Sequence, residues 1–348
     1  MTPTLSTLTN IEKDLIKFED VKRDVDTYNS FNNPDIVCPL SALHLTNDLS
    51  LDIADIGKYN MSYWTKQQLS TLLGIRWNKW FDPTLVKNNQ IQEEVNKRFS
   101  EKRGLFKFRT TSLQESTING NYNGTIRAIL GKTYKPIDDR YIFERLEKSF
   151  KNQLEGLRFL KYDLTGRWAT DRSSHYTLLG DPIDILKNGK EIIFPGIYIQ
   201  NSEVGYSALT IDAYYYRLVC LNGLIVNISS SRLLYRQHRA IKDEVMDNQL
   251  SKVFTEIPVQ WGEMRNLMFS SFKNSITDPL DRLETELKFF KVPMDFIKKV
   301  KLSYEKEPMP TIYGLTQAIT RTAKEYILPI ERFEYEKLGG KVFLRLSN

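Results

Sequence analysis

The chain has 348 residues, enough to bury a large core as one domain or two. Its 41% apolar and 26% charged residues exclude wholesale disorder, and its longest apolar run, around Leu218–Val226, falls far short of the roughly 20 residues that cross a bilayer. The net charge of +6 is uneven: residues 1–60 hold 5 Lys/Arg against 10 Asp/Glu, residues 61–240 hold 27 against 17, and the remainder 17 against 16, which points to an anionic partner for the middle of the chain.

The acidic opening carries Ile11, Leu15, Phe18, Val21 and Val25 at three- and four-residue spacings, which predicts an amphipathic helix over 11–28. Residues 29–62 read as loop, broken by Asn33-Pro34 and Cys38-Pro39, and a boundary is expected near residue 62. A helix follows at Thr65–Leu73, stopped by Gly74; WNKWF (77–81) places two tryptophans near Arg76 and Lys79, and Pro83 opens a helix to Ser100. Strands are expected at 105–111, 124–130, 157–164, 174–179, 191–200, 207–214 and 217–226, several with the period of two that marks a half-buried antiparallel strand. In the last of these, Asn222-Gly223 reads as a tight turn joining two strand pieces. Asp139–Leu154 reads as a helix among them. Beyond residue 238 the pattern is helical: Ala240–Asn274, Pro279–Lys291, Pro293–Tyr304 and Thr311–Leu328. The expected class is α+β, with a central, largely antiparallel curved sheet, helices packed on it and a helical C-terminal third. The expected divisions are an acidic helical arm (1–62), a basic mixed core (63–240) and a helical region packed on that core (241–348).

Catalytic signatures are sparse. ILGKT (129–133) resembles the end of a phosphate-cradling loop, but Ile126 stands where that loop needs glycine. His44, His175 and His238 have no second ligand at zinc spacing, and no metal or cofactor is expected. The carboxylates Asp138, Asp139, Glu203 and Asp212 fall at expected strand ends or turns, where convergence on magnesium would make a nuclease; Asp138-Asp139 is equally a helix N-terminus with acid in its first turn. Cys38 and Cys220 do not form a disulfide framework, and MTPTLSTLTN has neither the basic start nor the apolar core of a secretory signal. The expectation is a soluble cytoplasmic protein with no membrane partner.

Cations interleave with rings in four places. Lys102, Arg103, Lys107 and Arg109 flank Phe106 and Phe108; Arg127, Lys132 and Lys135 surround Tyr134; Tyr214, Tyr215 and Tyr216 precede Arg217; and Arg232, Arg236, Arg239 and Lys242 accompany Tyr235 and His238. Cations neutralise phosphates and rings stack on bases, so this mixture suits a single strand of nucleic acid. In a strand Tyr214 and Tyr216 point to one face and Tyr215 to the other, so only part of the tyrosine run can meet a ligand. The expected binding residues are Arg127, Lys132, Tyr134, Lys135, Tyr216, Arg217, Arg232, Tyr235, Arg236 and Arg239.

QQLSTLLGI (67–75), RAILGKTYKPIDD (127–139), NSEVGYSALTI (201–211), RLVCLNGLIV (217–226) and YGLTQAIT (313–320) resemble, in order, the phage- and plasmid-associated family of unknown function called phage/plasmid-like proteins. The resemblance spans about 65–330 and brings no catalytic motif with it. It implies work on mobile DNA inside a host cell. A further likeness to phage single-strand annealing proteins implies a basic groove for single-stranded DNA, used in recombination or replication, and assembly into a homo-oligomer. The alternatives are a protein-interaction factor acting on a host enzyme and the magnesium-dependent nuclease.

Overall fold

A computed structural model of the protein describes residues 15–75, 89–112, 122–150, 157–160, 167–169, 172–184, 192–217, 222–226, 232–236, 242–326 and 329–347. Its strands are β1 (Leu15–Lys17), β2 (Ile36–Pro39), β3 (Leu43–Leu45), β4 (Leu51–Ile53), β5 (Gly57–Met61), β6 (Leu105–Thr111), β7 (Thr125–Gly131), β8 (Arg158–Leu160), β9 (Arg167–Ala169), β10 (Ser174–Leu179), β11 (Ile183–Asp184), β12 (Ile192–Asn201), β13 (Leu209–Arg217), β14 (Asn222–Val226) and β15 (Arg232–Arg236). Its helices are α1 (Phe18–Ser30), α2 (Tyr63–Leu73), α3 (Asn89–Glu101), α4 (Asp139–Ser149), α5 (Asp243–Lys273), α6 (Pro279–Phe289), α7 (Met294–Lys306), α8 (Ile312–Ala323) and α9 (Pro329–Ser347). The class is α+β, with helices filling the C-terminal third.

Two sheets stand where one was expected. The larger runs β1-β8-β10-β12-β13-β14, with β9 on β10, β11 on β12 and β15 on β13, all antiparallel. The smaller runs β2-β6-β7-β5-β4-β3, antiparallel except for β5 beside β7. On one face of the larger sheet Tyr176, Leu178, Ile197, Ile199 and Ile211 pack under α1, α4 and α5. The smaller sheet buries Phe108, Ile126 and Ile129 against α2 and α3 through Leu69, Leu73, Val95 and Phe99. No helix among the described residues is long and apolar enough to cross a membrane.

The N-terminal region differs from its expected form. Residues 29–62 are not loop: β2 to β5 lie there, with Leu43, Leu45, Leu51 and Ile53 buried. Three-residue strands alternate too briefly for a periodic signal, so the prolines and asparagines between them dominate the sequence pattern. Helix α1 begins only at Phe18, because Leu15–Lys17 pair with β8 instead. The boundary expected at residue 62 falls between β5 and α2, and both elements pack on β7. Ile11 and WNKWF (77–81) lie outside the described residues.

The tyrosine run is core. Tyr214 and Tyr216 join Tyr198 and Phe333, whereas Tyr215 joins Tyr313 and Phe343 on the opposite face. The alternation holds, but helices cover both faces, so none of the three rings reaches solvent. Asn222-Gly223 is strand rather than turn: Asn222 pairs with Arg217 and Gly223 with Tyr216. Residues 218–221 lie outside the described residues.

Candidate nucleic-acid interface

Strand β7 carries Arg127 at an irregularity, where pairing with β6 steps from Arg109↔Ala128 to Thr110↔Ile126. Such a bulge re-aims the unpaired side chain. Arg127 Nη1 donates to Glu203 Oε2 at 2.8 Å and to Asn32 Oδ1 at 2.8 Å. Arg109, also buried, donates to the Glu203 carbonyl at 2.8 Å and pairs with Asp138 at 2.8 Å and Asp35 at 3.3 Å. Glu203 Oε1 accepts the backbone N–H of Asp139 at 3.0 Å, at the N-terminus of α4, where the helix dipole favours an anion. Burial alone would push the Glu203 carboxyl up, but the two guanidiniums and that N–H hold it below its usual range. Asp139 accepts from Ser174 Oγ and Asn201 Nδ2, each at 2.8 Å, and from the Tyr176 hydroxyl at 2.7 Å.

Of the four carboxylates weighed as metal ligands, Asp138 and Glu203 thus meet around Arg109 and Arg127, and Asp139 beside them is held by Ser174, Asn201 and Tyr176. Asp212 stands at mid-strand in β13, opposite Tyr198 and Arg232. No group of three His, Cys, Asp or Glu among the described residues is arranged to hold a metal. The cluster is a buried ion-pair network that ties the β2 approach, β6, β7, α4 and the turn after β12 together.

The expected cationic trough is corrected in the same terms. Arg127 is committed to Glu203 and is not placed to meet a phosphate. Arg217 has a side chain 6% exposed, lies 3.4 Å from Glu307 and stacks over Tyr313 at 5.5 Å. Glu307 also binds Arg321. Tyr216 is buried in the core. For Arg232, Tyr235 and Arg236 the structure gives strand positions opposite Asp212, Thr210 and Leu209, and Arg239 lies outside the described residues. Lys132 is exposed in the turn after β7, with Tyr134 and Lys135 half-buried just beyond it. Of these, Tyr134 borders a further surface feature.

That feature is a cluster of rings which the charge pattern did not reveal. Ser62 caps α2 by accepting the Thr65 N–H at 3.1 Å, and Thr65 Oγ1 donates to the Ile126 carbonyl of β7 at 2.6 Å. This fixes Tyr63 and Trp64 at the first turn of the helix. The Trp64 indole N–H donates to the Val204 carbonyl at 3.1 Å, which brings the turn after β12 alongside. In that turn Ser202 Oγ accepts the Tyr206 N–H at 2.8 Å and donates to the Arg172 carbonyl at 2.6 Å. The result encloses a cation: the Arg172 guanidinium lies 5.2 Å from the Tyr63 ring, 5.6 Å from Trp64 and 5.6 Å from Tyr206. Trp64 and Tyr206 meet edge to face at 5.2 Å. Tyr63 and Tyr206 are 49% and 39% exposed, so this aromatic surface is presented to solvent.

Tyr134 joins the cluster to the lysine turn. Its hydroxyl donates to the Ser202 carbonyl at 3.2 Å, and Lys107 Nζ donates to its carbonyl at 2.8 Å. Burial is the main force that pushes the Tyr134 phenol upward. Trp64 also walls a groove of about 690 Å³ between α2 and the ends of β6 and β7, with Phe106, Leu130 and Gly131 on the strand side. Tyr63-Trp64 was visible as a dipeptide, but Arg172 and Tyr206 come from segments more than a hundred residues away, and no local pattern links them.

No family model, curated protein or solved structure matches the chain.

Proposed function

We propose that the chain binds single-stranded nucleic acid through the ring cluster at Tyr63, Trp64 and Tyr206, with Arg172, Lys132 and Lys135 supplying positive charge. One observation carries this reading: a guanidinium enclosed by three rings, two of them strongly exposed, at the lip of an open groove. Exposed rings stack on bases at about 1–3 kcal/mol each and with little sequence preference. A guanidinium held among rings keeps its charge and loses few rotamers on meeting a phosphate. The resemblance to phage/plasmid-like proteins supplies the setting: single-stranded DNA of a mobile element, annealed during recombination or replication, with a homo-oligomer as the working form.

Salt dependence tests the site as well as the activity. Three cations at phosphates give a slope of log K against log salt of about −2 for a single strand, whereas seven in a basic trough would give about −5. Anisotropy titrations of a labelled DNA oligonucleotide at several salt concentrations, with RNA and duplex arms, read that slope directly. Single-strand binding with the shallow slope supports the proposal. A steep slope, or a preference for duplex, contradicts it.

A further inference from the structure

The groove beside the ring cluster has chemistry of its own. No ionisable side chain lines it among the described residues. Its hydroxyls are already committed: Ser70 Oγ donates to the Lys66 carbonyl at 2.9 Å and Thr71 Oγ1 to the Gln67 carbonyl at 3.0 Å. Gln68 Oε1 accepts the Ile129 N–H at 2.9 Å, which fixes that amide against β7. Gln67 lines the groove half-buried, and its side-chain amide makes no hydrogen bond among the described residues. One face is therefore aromatic and aliphatic, from Trp64, Phe106 and Leu130, and a primary amide with both donor and acceptor stands open beside it.

We infer that this groove is a base-reading subsite, taking one unstacked nucleobase whose edge is hydrogen-bonded by the Gln67 amide. The inference rests on the single-strand reading and deepens it. A charged ligand would find no counter-charge in the lining, and a hydrocarbon would bury the amide unsatisfied. A nucleobase is flat, neutral and edged with donors and acceptors, and an amide can meet adenine through two hydrogen bonds at once. Positive charge borders the lining: Lys132 follows Gly131 in the chain, and the Arg172 guanidinium lies 5.6 Å from the Trp64 ring. Those charges suit the phosphates of a nucleotide strand better than a neutral sugar. The volume of about 690 Å³ is within the roughly 300–1,000 Å³ usual for small-molecule sites.

The test uses the full chain and three labelled oligonucleotides of equal length: oligo-dA, oligo-dT and an abasic sugar-phosphate strand. The wild type should bind oligo-dA about tenfold or more tighter than the abasic strand. Gln67→Ala should remove about tenfold of the affinity for oligo-dA and less for oligo-dT, with an unchanged thermal melt. Gln67→Glu, which keeps the acceptor and adds charge, should weaken all three further. An oligo-dA affinity indifferent to Gln67→Ala overturns the subsite while strand binding stands, and equal affinity for abasic and base-bearing strands overturns both the subsite and the stacking of bases on the exposed rings. Displacement of oligo-dA by a neutral oligosaccharide as readily as by adenosine also overturns it. Absence of binding to every strand at low salt overturns the subsite and the single-strand reading together.

Discussion

Arg127 and Glu203 meet at 2.8 Å with side chains only 11% and 7% exposed. A guanidinium so placed holds strands together; it is not a phosphate contact in waiting. Removing one partner of a buried pair costs about 3–5 kcal/mol, because the other charge stays behind uncompensated. Arg127→Ala should therefore lower the urea midpoint sharply, while Lys132→Ala, at an exposed turn, should shift stability by less than about 0.5 kcal/mol. Equilibrium denaturation of the two variants separates the roles.

His175 sets a second expectation. Its ring is buried, with Nε2 3.0 Å from Ser173 Oγ, Nδ1 bonded to the Tyr198 hydroxyl and its face stacked 5.0 Å from Phe333. Burial, then the Lys337 charge, pushes its pKa from 6.5 down to about 3. The unfolded chain takes up a proton as pH falls through 6.5, and the folded one does not until about 3. The stability that neutral His175 provides is thus complete above that upper value and is lost as pH falls between the two, at a rate approaching about 1.4 kcal/mol per pH unit. Urea midpoints from pH 7 to pH 4.5 should fall with pH in the wild type and be flatter in His175→Gln.

Glu203 acts at lower pH and in the same direction. Its carboxyl lies below its usual range, so the ionised form contributes stability above the unfolded value near 4.5, lost as pH falls through the lower folded value. Glu203→Gln should lower the wild-type midpoint at pH 7 and reduce the steepness of acid unfolding below about pH 4.5. Thermal melts at pH 7, 4 and 3 check both.

Gly205 links stability to the interface. Its φ is +77°, and a Cβ there would sit 2.7 Å from Leu130 Cδ2 and 3.4 Å from the Tyr134 ring. Gly205→Ala should cost more than about 1 kcal/mol and displace Tyr206 from Arg172. A lower melting temperature together with weaker oligonucleotide binding is the expected pair of results.

Much of the fold was legible because its signals are local. The helix ending at Gly74 was marked by that glycine, which takes φ +66°, and strands β6 and β10 were visible in their alternation. The true cap, Ser62, lay three residues before the Thr65 expected to open the helix. Helix α9 was missed, as were β2 to β5, whose brevity hides their period. The site was far less legible. Charge counting finds Arg127, but not that Glu203, 76 residues later, is folded against it. Alternation correctly split Tyr214 and Tyr216 from Tyr215, but it could not tell that α8 and α9 supply the rings covering both faces. The cluster around Arg172 depends on three loop and helix ends meeting, which is tertiary information.

The central claim is tested most directly at the two exposed rings. Tyr63→Ala/Tyr206→Ala removes the solvent-facing rings with little loss of core, so the melting temperature should stay close to that of the wild type. Fluorescence anisotropy with a labelled single-stranded DNA oligonucleotide at low salt should show binding by the wild type and an affinity about 30-fold or more weaker in the double variant. Equal affinity of the two proteins, with both folded, would contradict the account.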